Sequence, residues 1–232
     1  GNYYGYFTTS FSITYGRISN CDITVSNESL VFDGTEKKPA VTVTCNGNTL
    51  TQGQDYTLYY HANTNAGSAT VTITGKGRFS GSVEKAFQIQ PADLSRSSVD
   101  LSADSFTYDG TEKKPSVTVK TGNRQLTANS DYTVSFVNNT NAGSATVTVT
   151  GKGNYSGSVT KNFTISAASL EKAELALSAS SFTYDGTEKK PDVTVTVNKK
   201  QLKKGTDYTV SYDNNTNIGT ASVTITGKGN YS

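Results

Sequence analysis

A period of 76 residues, repeated without a gap, is the strongest constraint on what this sequence can fold into. DGTEKKP stands at 33–39, 109–115 and 185–191, and DYT follows in the same frame from Asp55, Asp131 and Asp207. The tracts NTNAG at 63–67 and 139–143 and NTNIG at 215–219 keep the frame, as do the Gly-Lys-Gly triplets from Gly75, Gly151 and Gly227. Gly1 falls in phase with Gly77, Gly153 and Gly229, so the 232 residues are three periods plus four residues of a fourth. A single large core cannot repeat in this way, so the chain must be an array of small units.

Units this small bury only about 60% of their unfolded surface, and contact with neighbours adds to their stability. Within each repeat the apolar residues alternate, which is the mark of strands with one buried and one wet face. Repeat 2 shows the pattern in Val99 and Leu101, Val117 and Val119, Tyr132, Val134 and Phe136, Ala145, Val147 and Val149, and Val159, Phe163 and Ile165. Gly, Asn, Asp and Pro punctuate these runs, and no helix start followed by an apolar stripe occurs. About seven short strands per unit are best buried as two sheets packed face to face. The reading is all-β: three tandem immunoglobulin-like antiparallel β-sandwiches, with an extended rod as the expectation. Its boundaries are 1–14 as the last strand of a preceding or partner-completed repeat, then repeats at 15–90, 91–166 and 167–232. The third repeat lacks its last strand.

The stretches YDGTEKKP, GTDYTVSY, NNTNIG and TVTITGKGNYSG resemble the tandem bacterial immunoglobulin-like repeats of large cell-surface and adhesin-type proteins. The resemblance covers practically the whole chain. It implies an extracellular, cell-surface location and a role as stalk, spacer or ligand-binding tip. A net charge of +2 with both signs interspersed provides no field directed at nucleic acid or an acidic membrane. No apolar run reaches the roughly 18 residues of a membrane span, so no membrane insertion is expected. Methionine is absent, which fits a segment of a longer chain whose targeting and anchoring parts lie elsewhere.

Enzyme signatures fail in context, and no catalytic residue, cofactor or metal is assigned. His61 is the one histidine, and its repeat counterparts are Val137 and Asp213, so no histidine-based triad or metal site recurs. Ser82 to Lys85 and Ser158 to Lys161 match S-x-x-K, and 120–122 reads Lys-Thr-Gly. The nucleophile of that motif belongs on a helix, whereas these serines lie in alternating strand pattern. Gly-Lys-Gly precedes a strand, not a helix, and reads as a hairpin turn instead of a phosphate loop. Asp213, Asn214 and Asn215 have ligand chemistry for calcium, but turn chemistry is the favoured account of them. Glu112 and Lys152 have the residue types of an isopeptide pair, without a spacing that separates them from solvated charges.

Cys21 shares strand parity with Ile23 and Val25, and Cys45 with Val41 and Val43, so both thiols are expected to face inward from strands flanking the DGTEKKP turn. Antiparallel pairing of those strands fits a disulfide confined to repeat 1, and two buried free thiols are the alternative. Four aromatic or polar side chains break the repeat: Tyr59 and His61 on the parity opposite Leu58 and Tyr60, and Tyr4 and Tyr6 opposite Phe7, Phe11 and Ile13. They are candidates for an interface between copies or domains, or for stacking on a glycan or packing on a host protein.

In the repeat frame, residues 2–13 align with 154–165, a last strand, whereas repeat 3 contains no counterpart of that strand. Exposure of Val210, Tyr212, Val223 and Ile225 along an unpaired edge is therefore expected. Two explanations follow. Either the 232 residues are a window on a longer chain, or Phe7, Phe11 and Ile13 of one molecule complete repeat 3 of the next by strand addition. Partners are accordingly adjacent repeats or head-to-tail copies, with a glycan or host protein as the alternative.

Overall fold

The computed structural model describes residues 1–26 and 29–232. Its strands follow the 76-residue frame. Repeat 1 carries β1 (Gly16–Arg17), β2 (Asp22–Val25), β3 (Leu30–Val31), β4 (Val41–Cys45), β5 (Asn48–Thr49), β6 (Tyr56–His61), β7 (Gly67–Gly75), β8 (Phe79–Ser80) and β9 (Ser82–Gln90). Repeat 2 carries β10 (Ala92–Asp93), β11 (Ser98–Leu101), β12 (Ser105–Thr107), β13 (Val117–Thr121), β14 (Arg124–Gln125), β15 (Tyr132–Val137), β16 (Gly143–Gly151), β17 (Tyr155–Ser156) and β18 (Ser158–Ser166). Repeat 3 carries β19 (Glu174–Leu177), β20 (Val193–Val197), β21 (Lys200–Gln201), β22 (Tyr208–Asp213) and β23 (Ser222–Gly227).

Each of the first two repeats builds a three-stranded sheet, β2-β4-β5 or β11-β13-β14, against a four-stranded one, β3-β9-β7-β6 or β12-β18-β16-β15. One tyrosine per repeat bridges the sheets: Tyr56, Tyr132 and Tyr208 each donate their phenol hydrogen to the carbonyl of Val41, Val117 and Val193. The cores follow the alternation. Val43, Val71, Ile73 and Ile89 are buried in repeat 1, as are Val119, Val147, Val149 and Ile165 in repeat 2. The three- and four-stranded sheets are antiparallel apart from one ladder in each sandwich, since β3 and β12 run parallel to β9 and β18; the two-stranded pairs β1–β8 and β10–β17 are parallel as well. Side-chain alternation is blind to strand direction, which is why only the structure reveals that ladder.

Two compact units emerge, Gly1–Asp93 with Gly151–Ser156, and Leu94–Thr150 with Gly157–Ser232. The turn at 151–156 thus packs into the first unit. In the second unit, repeat 3 matches repeat 2 only in part. Its three-stranded sheet β19-β20-β21 is intact, but the other sheet has only β22 and β23. Its core cluster, Ala168, Val193, Val195, Val197, Leu202, Tyr208 and Tyr231, draws nothing fully buried from those two strands except Tyr208.

Residues 1–15 form no strand, contrary to the strand expected at 1–14, and all of 1–17 are exposed. Phe7 at 91%, Phe11 at 85% and Ile13 lie in solvent alongside Tyr4 and Tyr6, so the parity expected to separate them is not expressed. A strand exists only by pairing with a neighbour, and residues 1–15 pair with none of the described strands.

Candidate assembly site

The repeated motifs account for the scaffold of the site. In DGTEKKP, Asp33 Oδ1 accepts hydrogen bonds from Thr35 N and Oγ1 at 2.8 and 2.6 Å, and Lys37 Nζ pairs with Asp33 Oδ2 at 2.6 Å. Asp109 and Asp185 repeat this arrangement with Thr111, Lys113, Thr187 and Lys189. The lysine, first, and the threonine, second, hold all three carboxyls well below the usual carboxylate range. The same motif is fastened to the Asn-Thr-Asn loop. Asn63, Asn139 and Asn215 each donate from Nδ2 to the carbonyl of Lys37, Lys113 and Lys189 at 2.9–3.0 Å. Asn215 is therefore occupied in turn chemistry. In Gly-Lys-Gly, Lys76 and Lys228 donate from Nζ to the carbonyls of Gly53 and Gly205. The first glycine is obligatory, because a Cβ at Gly151 would meet Ser156 N at 2.7 Å and Tyr155 C at 2.8 Å.

One contact recurs with the period and joins a Gly-Asn-Tyr-Ser turn to an Asn-Thr-Asn loop. In the first unit, Ala66 N donates to Asn154 Oδ1 at 2.8 Å, and Asn154 Nδ2 donates to Asn65 Oδ1 at 3.0 Å. Beside this latch, the Tyr155 ring stands edge-on to Phe32 at 5.5 Å. In the second unit, Ala142 N donates to Asn230 Oδ1 at 2.7 Å, Asn230 Nδ2 donates to Asn141 Oδ1 at 3.1 Å, and Tyr231 meets Tyr108 at 5.5 Å. Lys200 Nζ lies 5.9 Å from the centre of the Tyr108 ring. Tyr155 and Tyr231 are buried as a result. The motif GNYS was visible in the sequence, but nothing in it identified the loop that receives it.

The equivalent positions of repeat 3 are more exposed. Tyr184, one period after Tyr108, is 57% exposed, and Ile218, in the place of Ala142, is 85% exposed. The adjoining sheet is open as well. In repeat 2, β18 is a central strand, antiparallel to β16 and parallel to β12. Among the described residues β23 pairs with β22 alone, and beside it a groove of about 550 Å3 is lined in part by Leu177, Phe182, Tyr184, Tyr212, Ile218 and Val223. Ala145, Val147 and Val149 are completely buried, whereas their counterparts are exposed at Ala221 and half-buried at Val223 and Ile225.

Val210 and Tyr212 depart from expectation. They are half-buried, no more open than Val134 and Phe136, because they face the three-stranded sheet that repeat 3 retains. Tyr212 donates its phenol hydrogen to the Pro191 carbonyl. The exposure falls instead on Leu175 and on Leu177, Phe182 and Tyr184, the last three of which line the groove; none of the four was singled out in the sequence. Their repeat positions relative to β18 were the available signal.

The remaining candidates sit apart. Cys21 and Cys45 form a disulfide, with Cα atoms 4.5 Å apart at the end of the β2–β4 ladder, and both residues are half-buried, as are Ile23, Val25 and Val41 on the same parity. Tyr59, 69% exposed, and His61 lie on the outer face of β6, opposite Thr72 and Thr70 of β7. Ser82 and Ser158 begin strands β9 and β18. Glu112 pairs with Lys114 at 2.5 Å on the surface. Among the described residues no helix is long and apolar enough to cross a membrane.

The family model of the bacterial Ig-like domain (group 3) matches residues 104–167, from the start of β12 to the end of β18. No curated protein and no solved structure matches the chain. The matched segment is the complete four-stranded sheet of repeat 2 together with β13 and β14. The other two repeats resemble it through the shared 76-residue frame.

Proposed function

We propose that this chain is a non-enzymatic structural segment of a bacterial cell-surface stalk, adhesin or filament, whose repeats are stapled in series and joined end to end by strand complementation. The observation that carries the reading is the latch, reproduced one period apart by Asn154 and Asn230 with the same donors, acceptors and ring geometry. A recurrent joint of this kind serves an array, because it fixes each turn to the loop of its neighbour without using a cleft. Similarity to the bacterial Ig-like domain supports a surface or structural module. The cross-linked first repeat suits an oxidising, extracellular setting.

Single-molecule extension tests it. A repeat of 76 residues releases about 25 nm of chain on unfolding at roughly 3.4 Å per residue. Successive unfolding events with that spacing are the expected record under reducing conditions, since the disulfide otherwise withholds the 24 residues it spans from the release of repeat 1. Extension without discrete resistance removes the structural reading.

Tyr59 and His61 support a second reading, a glycan- or protein-binding module, because an outward aromatic and an imidazole share one face of β6 in repeat 1 alone. Glycan binding lost in Tyr59→Ala, with folding unchanged, would establish it.

A further inference from the structure

Resting on the reading as an array, we propose that the Gly-Asn-Tyr-Ser turn of one repeat is a brace that sets how firmly the preceding repeat resists tension along the chain. Tension passing through repeat 2 enters by its first strand and leaves by its last. The first strand is split, with β11 in the three-stranded sheet and β12 in the four-stranded one, and both halves are tied to β18. β12 is parallel to β18, with Ser105 beside Thr164, Phe106 beside Ile165 and Thr107 beside Ser166. One further bond lies beyond each end of that ladder: Thr164 N donates to the Asp104 carbonyl at 2.9 Å, and Tyr108 N donates to the Ser166 carbonyl at 2.8 Å. Lys161 of β18 reaches the other half, donating from Nζ to the Val99 carbonyl of β11 at 3.1 Å.

β12 and β18 run the same way, so a pull back along the first and forward along the second slides them past each other. Bonds of a parallel ladder are evenly spaced, and sliding loads them together instead of opening them one at a time. Rupture is then opposed by whatever keeps β18 between its two neighbours, β12 and β16. The turn of repeat 3 does so where tension leaves. On the β12 side, Tyr231 stands edge-on to Tyr108, the residue that makes the last bond to Ser166. On the β16 side, Asn230 Oδ1 accepts from Ala142 N, and Ala142 directly precedes Gly143, which lies opposite Ile165. Two consecutive residues of repeat 3 thus hold the strands on both sides of the end of β18. Lys200 Nζ adds a contact to the Tyr108 ring from the same repeat.

The turn is itself anchored in repeat 3. Ala168 N donates to the Asn230 carbonyl, Ser232 N to the Ala168 carbonyl and Leu170 N to the Ser232 carbonyl, and Tyr231 belongs to the core cluster of that repeat. The first unit contains the same arrangement one period earlier. β3 is parallel to β9, Phe32 N donates to the Gln90 carbonyl at 2.8 Å, and Phe32 meets Tyr155. Asn154 holds Ala66, which precedes Gly67 opposite Ile89. The brace therefore has a direction, because each time the turn that supplies it belongs to the following repeat.

The test uses the 232-residue chain with DNA handles on cysteines at two exposed positions, Arg96→Cys and Ser166→Cys, so that tension crosses repeat 2 and none is carried by repeat 3. Rupture of repeat 2 is timed at one constant force in the parent and in three variants, Tyr231→Ala, Asn230→Ala and Tyr231→Phe, all substituted outside the stretched segment. Losing the ring pair and its packing should make Tyr231→Ala rupture roughly 10-fold faster. Asn230→Ala should rupture roughly 3-fold faster, the effect of a hydrogen bond. Tyr231→Phe keeps the ring and should rupture at the parent rate. If repeat 3 unfolds in Tyr231→Ala, the brace is lost all the same, and the faster rupture is still expected. Rupture at the parent rate in both alanine variants overturns the inference. So does Tyr231→Phe rupturing as fast as Tyr231→Ala, since the ring would then not be what acts. Discrete rupture that is indifferent to Tyr231 and Asn230 removes the brace alone, whereas a parent that extends between the handles without discrete resistance removes the array reading with it.

Discussion

Residues 105–115 and 181–191 are the same eleven amino acids, yet they do not adopt the same structure. In repeat 2, Ser105–Thr107 is strand β12, and Tyr108 packs on Tyr231; in repeat 3, residues 181–183 form no strand and Tyr184 faces solvent. Local sequence cannot be the cause of the difference. What differs is the neighbour: β18 lies beside the first copy, and no strand lies beside the second. Strand formation in this chain is therefore a property of the assembled sheet, and β-propensity only permits it. The DGTEKKP turn that follows is the same in both repeats, because its bonds are local and need no partner.

The comparison can be broken most forcefully at Phe163. Truncation to alanine removes the ring that packs on Phe106 and leaves a cavity beside Ala145, at a cost of about 3–5 kcal/mol to repeat 2. Denaturant unfolding should detect that loss. Amide exchange should show β12 losing protection until it resembles 181–183. Full protection of β12 in the variant would mean that its order does not depend on β18.

A second contrast lies at one equivalent position in all three repeats. It is occupied by the Cys21–Cys45 disulfide in repeat 1, by Ser97 and Thr121 with hydroxyls 2.7 Å apart in repeat 2, and by Ala173 and Val197 in repeat 3. Closing a loop with a sequence separation of 24 contributes about 3 kcal/mol on the chain-entropy account. Reductant should lower the unfolding free energy of repeat 1 by about that amount and leave the transitions of repeats 2 and 3 unmoved. An equal shift in all three transitions would show that the bond acts beyond its own sandwich.

These contrasts also mark what was legible in the sequence. The period and the alternation of apolar residues were enough to locate the sandwiches and the core residues Val119, Val147 and Ile165, because burial of one strand face leaves a pattern of period two. Cys21 and Cys45 could be aligned from strand parity, since antiparallel pairing brings the start of one strand to the end of the next. Strand direction left no such trace, so the parallel β12–β18 ladder was hidden. The latch was hidden for another reason: Asn154 and Asn65 are 89 residues apart, and nothing local at either position specifies the other. Val210 and Tyr212 were misjudged because parity tells which face is inward but not which sheet covers it.

The latch supports a smaller prediction. Asn230→Ala removes the acceptor of Ala142 N and the donor to Asn141 Oδ1, at a cost of about 1–2 kcal/mol to the packing of Tyr231 on Tyr108. Exchange of the Ala142 amide should accelerate correspondingly. The counterpart in repeat 3, Ile218, is exposed and lies outside the two latches, so its amide should already exchange at the faster rate. Equal protection at Ala142 and Ile218 in the parent would contradict the distinction between an occupied and a vacant loop.

The smallest effect concerns the one feature in which the two repeats should not differ. Asp109 and Asp185 are both held well below the usual carboxylate range, by Lys113 or Lys189 first and by Thr111 or Thr187 second. A carboxyl whose folded pKa lies below its unfolded value contributes stability that is fully present above the unfolded value. That contribution is lost as pH falls through the folded value. The window therefore lies below about pH 4, and neutral pH should be insensitive. Both side chains are solvent-exposed, so screening by water and salt keeps the contribution slight. Carbon-detected titration of the two carboxyl groups should give matching curves, each displaced below an ordinary aspartate. In Asp109→Asn the acid-side slope from repeat 2 should disappear while that from repeat 3 persists. If Asp185 instead titrates as an ordinary carboxylate while Asp109 does not, the turn depends on the missing strand after all, and the separation of local from assembled structure fails at the place where it is most direct.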